Sequence, residues 1–355
     1  MRLDTLVHST PAPADAAHPR NTEASLLVRR DGSYLLAYTE FCGSGRDDAA
    51  ASIIGLVSRD GGQSWGERRT LQENTGGCNV MSPSLRRLDD GSILLAFIRK
   101  DSHTSCTLFS RRSEDDGERF GDPVQINSWE AYMGFVNDSL VQLNCDRVRG
   151  RIICPVYYSK GSCWSETEHY VARMCLSDDG GRSWRAAEQE VDCPRRGAME
   201  PVVVEDEDGA LTMLIRTQMG FVYRSRSSDG GDTWTAAEAS PLTGQEAPIA
   251  ARVIPGSERV LLVWNAAFDS EGASHGGRRS PLHVAVASPD LTAAPVAVPL
   301  VASDTATFSY PSICFDGDRV LLTHYVGQDQ ALIGGGDTTL LRLDFRALEL
   351  PSLLS

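Results

Sequence analysis

A short phrase, built on an Asp-Gly turn and closed by an aromatic residue, occurs four times along this chain. Its copies start 50 to 64 residues apart at Ser58–Trp65, Ser113–Phe120, Ser177–Trp184 and Ser227–Trp234. Self-similarity at such a period indicates a repeat architecture, in which each copy belongs to one supersecondary unit. An Asp beside glycines can accept backbone N–H bonds from its own turn while a glycine adopts positive φ. We therefore interpret the four aspartates as structural residues: Asp60, Asp115, Asp179 and Asp229.

A second repeat, of apolar strand, turn and apolar strand, occurs six times and counts the units. These hairpins span residues 24–41, 82–100, 138–158, 200–217, 251–265 and 310–326. Their starts are about 57 residues apart, which is room for a four-stranded blade with its loops. We predict an all-β fold, a six-bladed β-propeller of four-stranded antiparallel blades, forming one domain over residues 1–355. The strand-like residues 2–8 would close the last blade, and residues 287–290 look like a degenerate fifth copy of the phrase. An all-β sandwich is the alternative, but it would not explain a repeat.

Composition limits the classes of partner. The formal net charge of −14 argues against binding to nucleic acid or to an anionic membrane surface. No window approaches a membrane span and no signal peptide is visible, so we expect a cytoplasmic protein. The nine cysteines form no CxxC pair and the seven histidines lack a ligand spacing, which predicts free thiols, no metal and no cofactor. The oligomeric state stays open.

Polar residues recur where the first strand of each hairpin begins. In a propeller these starts line the central channel, where convergent polar groups are typical of a binding site. Five of the six starts are polar, whereas the fifth, Pro248–Ala250, is apolar. The polar residues are Arg20, Glu23, Asn79, Ser82, Asn137, Asp138, Glu200 and Tyr310.

The four phrases resemble the Asp-box of the sialidase superfamily, whose members are β-propellers with the box on the rim opposite the active site. That family uses a Tyr–Glu nucleophile pair, an Asp acid/base and three arginines that hold the substrate carboxylate. The segment Ser309–Ile313 resembles the tyrosine segment, and Met199–Val204 resembles the segment of the glutamate. The resemblance implies Tyr310, Glu200 and Asp48 as catalytic residues, with Asp47 as the rival of Asp48.

The same resemblance implies a set of substrate-binding residues. Arg20, Arg216 and Arg279 take the places of the three arginines, with Arg278 competing with Arg279. The family usually has Ile-Pro after its first arginine, whereas Asn21–Glu23 follows here, so Glu23 would pair with an arginine or recognise a hydroxyl. Asn79 and Asp138 could bind hydroxyls as well. Three aromatic residues in longer loops could stack on sugars: Trp129, Tyr132 and Trp164.

The leading hypothesis is an exo-acting retaining glycoside hydrolase that releases a terminal sialic acid or related 2-keto sugar acid. The anomeric carbon of such a sugar bears a carboxylate, so a neutral phenol avoids the repulsion that a carboxylate nucleophile would meet, and Glu200 could take its proton. Arginine suits the clamp because its planar fork binds a carboxylate with two hydrogen bonds. One alternative is an exo-arabinanase-like hydrolase with a carboxylate pair, Glu200 with Glu23 or Asp48. Another is a non-catalytic, glycan- or protein-binding propeller.

Overall fold

Strands joined by short turns make up most of the chain. The computed structural model describes residues 3–159, 168–268, 279–328 and 340–354. Among them are 25 strands, one 3-10 turn (Asp146–Val148) and one short helix (α1, Leu350–Leu354). The predicted all-β class is confirmed, and the strands are arranged as a β-propeller.

The strands have the following bounds in chain order. The first eleven are β1 (Thr5–Ala12), β2 (Arg20–Val28), β3 (Tyr34–Phe41), β4 (Ala51–Ser58), β5 (Gly66–Gln72), β6 (Asn79–Arg87), β7 (Ile93–Lys100), β8 (Cys106–Ser113), β9 (Val124–Gln125), β10 (Met133–Gly134) and β11 (Val141–Gln142). The others are β12 (Ile152–Ser159), β13 (Tyr170–Ser177), β14 (Arg185–Val191), β15 (Met199–Glu205), β16 (Leu211–Arg216), β17 (Phe221–Ser227), β18 (Glu238–Thr243), β19 (Ala250–Val253), β20 (Val260–Trp264), β21 (Leu282–Ala287), β22 (Val298–Val301), β23 (Ala306–Asp316), β24 (Arg319–Gln328) and β25 (Leu341–Glu349).

In the described part of the chain these strands pair into five sheets. Three sheets have four strands each in chain order, β6 to β9, β15 to β18 and β19 to β22. A fourth has five strands, because the short β10 and β11 both pair with β12, which is followed by β13 and β14. The first strand of this sheet is therefore interrupted: β10 and β11 are its two ends, and residues 135–140 between them are not in a strand.

The fifth sheet joins the two ends of the chain. It has eight strands in the order β23-β24-β25-β2-β3-β4-β5, and β1 pairs antiparallel with β25. A parallel bridge between Arg20 and Leu341 links β2 to β25. The N-terminal strand thus begins at Thr5 rather than at residue 2, and it lies on the outer side of the last group of strands.

The prediction of six separate four-stranded sheets is wrong at the level of strand pairing. Four of the five sheets have the size of one blade, and the fifth has eight strands. The physical reason is the bridge at Arg20, which the hairpin pattern could not indicate because its two partners are about 320 residues apart. The hairpins themselves are where the sequence predicts them.

First strands of successive sheets lie against one another around a common axis. β2 contacts β6 and β23, β15 contacts β12 and β19, and β19 contacts β23. Between the sheets lie apolar clusters. One joins Ile153 and Met174 to Val203 and Met213 of the next sheet, all nearly inaccessible to solvent. Burial of one such side chain stabilises the fold by roughly 1.5–3 kcal/mol.

The four Asp-boxes are turns between the third and fourth strands, as predicted. In the first, the Asp60 carboxylate accepts hydrogen bonds from the Ser64 backbone N–H (2.9 Å) and from the Ser58 hydroxyl (2.9 Å). Gly62 has φ of +90°, and a Cβ there would lie 2.1 Å from the ring of Phe345, so only glycine fits. Trp65 packs edge-on against the same ring, with centroids 5.3 Å apart. The box therefore fastens one group of strands to the next.

Candidate active site

Five non-glycine residues with left-handed backbone conformation mark equivalent places on the first strands. Their φ angles are +55° at Glu23, +56° at Ser82, +57° at Asp138, +41° at Glu200 and +51° at Tyr310. On β2, β6, β15 and β23 the register shifts at this residue, and in the third repeat the residue falls between β10 and β11. Such bulges re-aim a side chain, and each left-handed residue costs roughly 1–2 kcal/mol. Strain repeated at one level of the ring is typical of a functional site.

Two of these residues, from sheets that are distant in the chain, form one hydrogen bond. The Tyr310 hydroxyl donates to Oε1 of Glu200 at 2.9 Å, and Nη1 of Arg216 donates to Oε2 of Glu200 at 2.7 Å. Glu200 and Arg216 are buried, and Arg216 is the cross-strand partner of Met199. Burial raises the pKa of the Tyr310 phenol well above its usual value, and the Glu200 carboxylate adds to this, while Arg216 opposes it. The phenol is therefore neutral and is bonded to a base that can accept its proton.

Arg279 lies over the ring of Tyr310, with its guanidinium carbon 5.8 Å from the ring centroid. Its Nη1 donates to the Tyr325 hydroxyl at 3.1 Å and its Nη2 to the Glu246 carbonyl at 3.4 Å. Its buried Nε has no hydrogen-bond partner. Within the described residues Arg279 has no carboxylate partner, so it offers a nearly inaccessible positive charge to an anion beside the phenol.

Arg20, by contrast, is held by two carboxylates. Its Nη2 donates to Oε1 of Glu23 at 2.9 Å, and its Nη1 forms an ion pair with Asp47. The guanidinium also lies 4.3 Å above the ring of Phe41. Burial lowers the pKa of Arg20, but the two carboxylates outweigh burial and raise it, so the charge is permanent. The charge of the Tyr310 phenol is among the influences that raise the pKa of both Arg20 and Arg216.

The structure brings Asp47, and not Asp48, to this group. Asp48 is turned to Arg46, whose Nε donates to it at 3.0 Å, and to His103 at 3.5 Å. Burial raises the pKa of Asp47, but Arg20 and then Lys100 outweigh it, so that the pKa lies below its usual value. Asp47 and not Asp48 therefore contacts Arg20, because consecutive loop residues point in different directions.

Asn79 supports the Asp47 loop rather than opening onto a substrate. Its Nδ2 donates to the carbonyls of Asp47 and Ala49, both at 2.9 Å. Nζ of Lys100 donates to the Asp47 carbonyl at 2.9 Å as well. These three bonds hold the backbone of Asp47 at the position from which its carboxylate reaches Arg20.

Glu23 is a buried carboxyl at the bulge of β2. It accepts hydrogen bonds from Arg20 and, on its other oxygen, from Ser82 at 3.1 Å. Burial raises its pKa and Asp47 adds to this, whereas Arg20 opposes it, and the net result is a raised pKa. The predicted pairing of Glu23 with an arginine is thus present in the structure.

Asp138 is not part of the group around Tyr310. Its carboxylate is occupied by the Ser25 hydroxyl (2.7 Å), the Ile313 backbone N–H (3.0 Å) and Arg252 (2.9 Å). The neighbouring Asn137 donates to the carbonyls of residues 24 and 311. The two side chains tie first strands together across the axis, which explains why a polar strand start need not face a ligand.

Of the three loop aromatics, two are described. Trp129 packs edge-on against Tyr158 with centroids 5.5 Å apart, and the ring of Tyr132 lies 5.5 Å from Nζ of Lys100. Arg278 and Trp164 lie outside the described residues. In the described ranges no cluster of three or more His, Cys, Asp or Glu side chains could hold a metal ion, and no helix there is long and apolar enough to cross a membrane.

Two residues of the group were missed by sequence reasoning. The Tyr325 hydroxyl is the partner of Arg279. Oε1 of Glu246 accepts a hydrogen bond from Nη1 of Arg196 at 2.6 Å and lies 4.0 Å from Nη2 of Arg216. A signal for Glu246 exists, because Gln245-Glu246 stands just before the apolar Pro248 at the fifth strand start. For Tyr325 no local signal stands out, since it lies within the apolar strand β24.

Comparison with known proteins agrees with this description. Residues 35–322 match the BNR repeat-like domain, and the chain belongs to that family. The predicted BNR repeats are confirmed by this match.

Solved structures with the same fold share little sequence with this chain. A Dyadobacter fermentans protein of unknown function has 18% identity, a TM-score of 0.74 and coverage of 98% of this chain and 99% of its own. The leech intramolecular trans-sialidase, solved with 2,7-anhydro-Neu5Ac, has 14% identity, a TM-score of 0.75 and coverages of 98% and 71%. The Ruminococcus gnavus intramolecular trans-sialidase, solved with oseltamivir carboxylate, has 13% identity and a TM-score of 0.73. The match covers 95% of this chain and 96% of that one. At such identities the likeness establishes the fold alone.

Proposed function

We propose that this protein is an exo-acting retaining glycoside hydrolase that releases a terminal sialic acid or a related 2-keto sugar acid. The observation that carries the proposal is the 2.9 Å hydrogen bond from Tyr310 to Glu200 beneath the guanidinium of Arg279. The phenol is bonded to a base and lies beside a cation that has no carboxylate partner among the described residues. This arrangement suits attack on an anomeric carbon that bears its own carboxylate. Sialidases with a Tyr nucleophile are a recognised exception to the two-carboxylate scheme.

In the first step the Tyr310 oxygen attacks the anomeric carbon as its proton passes to Glu200. The phenol is neutral before attack, so it approaches the sugar carboxylate without charge repulsion. Arg216, on the other oxygen of Glu200, keeps that carboxylate oriented. The bond from the anomeric carbon to the leaving oxygen breaks as the bond to Tyr310 forms. Water then attacks from the face that the leaving group vacated, opposite Tyr310, and the phenol leaves and takes its proton back from Glu200. The two inversions give retention of configuration.

The substrate carboxylate is recognised chiefly by Arg279, which has no carboxylate to displace among the described residues. Arg216 shares its charge with Glu200 and Arg20 with Glu23 and Asp47. An arriving carboxylate therefore competes at Arg20 with Asp47, whose side chain is 27% exposed and can move. Three arginines around one anion supply paired, charge-assisted hydrogen bonds.

Asp47 is the proposed acid/base, in place of Asp48. A general acid needs a pKa near the working pH, whereas Arg20 and Lys100 hold that of Asp47 below its usual value. Release of Arg20 to the substrate carboxylate would remove the larger of these two effects and raise the pKa. Substrate binding itself would then prepare Asp47 to protonate the leaving oxygen.

The proposal includes a single six-bladed domain over residues 1–355. The eight-stranded sheet consists of two groups of four strands, β2 to β5 and β23 to β25 with β1, which one parallel bridge joins. If each group is counted as one blade, these two blades and the other four sheets make six.

A second candidate is a hydrolase of a neutral sugar that uses a carboxylate pair. The observation in its favour is Glu23, a buried carboxyl with a raised pKa, as a general acid requires. In that case Glu200 would be the second carboxylate and Tyr310 would only pack.

The test is hydrolysis of aryl α-ketosides of nine- and eight-carbon 2-keto sugar acids, each beside its carboxylate methyl ester and beside neutral aryl glycosides. We expect turnover of one free acid and little of its ester. In the Arg279→Met variant this preference should fall by roughly 100-fold, since truncating one partner of a buried charge pair costs 2–5 kcal/mol. Turnover of neutral glycosides alone, or of none of these compounds, would refute the proposal.

A further inference from the structure

A second polar group, with half-buried arginines, lies in the central channel, beyond Asp138 and away from Tyr310. It faces a cavity of about 610 Å³ lined by the later halves of the first strands, including residues 26–28, 85–87 and 202–207. Those halves lead to the hairpin turns, which in an antiparallel blade lie at the same end as the Asp-boxes. The cavity therefore opens on the opposite end of the ring from the candidate active site, and it goes beyond the proposed function.

Two arginines from different sheets line this cavity, Arg86 on β6 and Arg252 on β19. Arg252 donates from Nη2 to the Asp138 carboxylate at 2.9 Å and to the Asp138 carbonyl at 3.0 Å, and its buried Nε has no partner. Within the described ranges Arg86 has no hydrogen bond and no ion pair. Asp138 is the only carboxylate bonded to either arginine there, so the two guanidinium groups share one bonded carboxylate.

The charge of Arg86 is disfavoured where it lies. Burial, and then the like charge of Arg252, lower the pKa of Arg86 to about 10, a shift that Asp138 only partly offsets. The Arg86 side chain is only half-buried, so an anion in the cavity could reach its guanidinium and offset the like charge of Arg252.

The lining also limits which anion fits. Much of the wall is apolar, with Leu26, Leu85, Leu140, Val202 and Ile313. Acidic residues such as Glu205, Glu207 and Glu258 line the cavity too and repel multiply charged ions. Two guanidinium groups that share one bonded carboxylate, apolar walls and acidic neighbours together suit a monovalent organic anion.

We propose that this cavity is a binding site for a small monocarboxylate with an apolar body, held between the guanidinium groups of Arg86 and Arg252. Its carboxylate would join β6 to β19 across the axis, and its aliphatic part would contact the leucines and valines of the wall. A ligand that binds only the folded state raises stability according to its concentration and affinity.

The experiment is thermal unfolding in sodium butyrate against sodium chloride at equal ionic strength. We expect butyrate to raise Tm of the wild type by about 2–4 °C at saturation, the equivalent of roughly 1 kcal/mol. Arg86→Met should abolish the rise, whereas the control Arg119→Met, which removes an 89% exposed arginine, should keep it. Since Arg279 could also bind a carboxylate, Arg279→Met is measured in parallel and should keep the rise as well.

A crystal soaked with 3-bromopropionate locates the anion without any variant. Anomalous signal from bromine beside Arg86 and Arg252 would support the site even if Arg86→Met fails to fold. A rise in Tm that survives Arg86→Met and disappears in Arg279→Met would overturn the proposal. Bromine found only beside Arg279, or nowhere in the crystal, would overturn it too.

Discussion

Carboxylates at the two ends of the ring differ in their hydrogen-bond partners and in the direction of their pKa shifts. In the Asp-boxes each carboxylate is bonded by residues two to four positions away, as Asp60 is by Ser58 and Ser64. The Ser64 hydroxyl and backbone lower the pKa of Asp60 to about 2. At the other end Glu23 is bonded to Ser82 of the next sheet, and burial raises its pKa.

The difference shows how one residue type serves two purposes. A carboxylate satisfied by its own turn is ionised at all working pH values and only fixes the turn. A carboxylate held by arginines and hydroxyls from other strands keeps a pKa that a ligand can shift. We therefore expect changes at the Tyr310 end to alter catalysis with little loss of stability, and changes at the Asp-box end to do the reverse.

The largest effect is expected for Tyr310→Phe. Removal of the hydroxyl deletes the nucleophile, so kcat should fall by about a thousandfold or more, comparable with the loss of a nucleophile elsewhere. Tm should change little, because the ring still fills the space beside Tyr325. Steady-state kinetics on the preferred aryl glycoside measure this. Activity close to that of the wild type would favour the carboxylate-pair hydrolase.

The next effect separates two consecutive residues. Asp47→Asn should lower kcat/KM by roughly 100- to 1,000-fold on a glycoside with a poor leaving group, and by less on an activated aryl glycoside. Asp48→Asn removes a similar charge that faces Arg46 and should change kcat/KM by less than about threefold. Equal losses in the two variants would contradict the assignment of Asp47.

A smaller effect is expected at Glu23, with a distinct pH dependence. Glu23→Gln frees Arg20 from one carboxylate, so KM for the acidic substrate should fall by roughly three- to tenfold, or about 1 kcal/mol. Because the folded pKa of Glu23 is raised, the folded state binds more protons than the unfolded state, and stability falls as pH rises above 4.5 through the folded pKa.

The Glu23→Gln variant has no carboxyl group at this position, so its stability lacks this decrease with rising pH. Its Tm, measured by calorimetry between pH 4 and pH 8, should gain on that of the wild type as pH rises. A constant difference in Tm would show that Glu23 does not titrate in this window.

The smallest effect on catalysis is expected in an Asp-box. Asp229→Ala removes the acceptor of the Thr233 and Ser227 hydrogen bonds. The free energy of unfolding should fall by about 1–2 kcal/mol, while kcat per folded molecule stays unchanged. Denaturant unfolding measures the loss of stability, and kinetics normalised by active-site titration measure kcat per folded molecule. A matched loss of kcat would show that the two ends of the ring are coupled.

Most of the fold could be predicted because its signals are local. The box phrase and the hairpin turns each fit within about twenty residues, so their register is visible in the sequence. The merging of two groups of strands was not visible, since it depends on one bridge between Arg20 and Leu341.

The site could be predicted in part. Tyr310, Glu200, Arg216 and Arg279 lie together, because equivalent strand starts converge on one axis. The choice between Asp47 and Asp48 depends on the path of a loop, which no repeat specifies. Asp138 shares the strand-start position, but Ser25 and Arg252 occupy its carboxylate, and only the assembled ring brings these residues to it.

The most direct measurement is mass spectrometry after incubation with a 2,3-difluoro derivative of the sugar acid that the enzyme hydrolyses. Fluoride at C2 leaves as Tyr310 attacks, and the fluorine that stays at C3 slows hydrolysis of the glycosyl–enzyme, which therefore accumulates. The account predicts one sugar per chain, attached to the peptide that contains Tyr310 and absent in Tyr310→Phe. A sugar attached to Glu200, Glu23 or Asp47 instead would contradict it, as would turnover of the parent glycoside with no adduct at all.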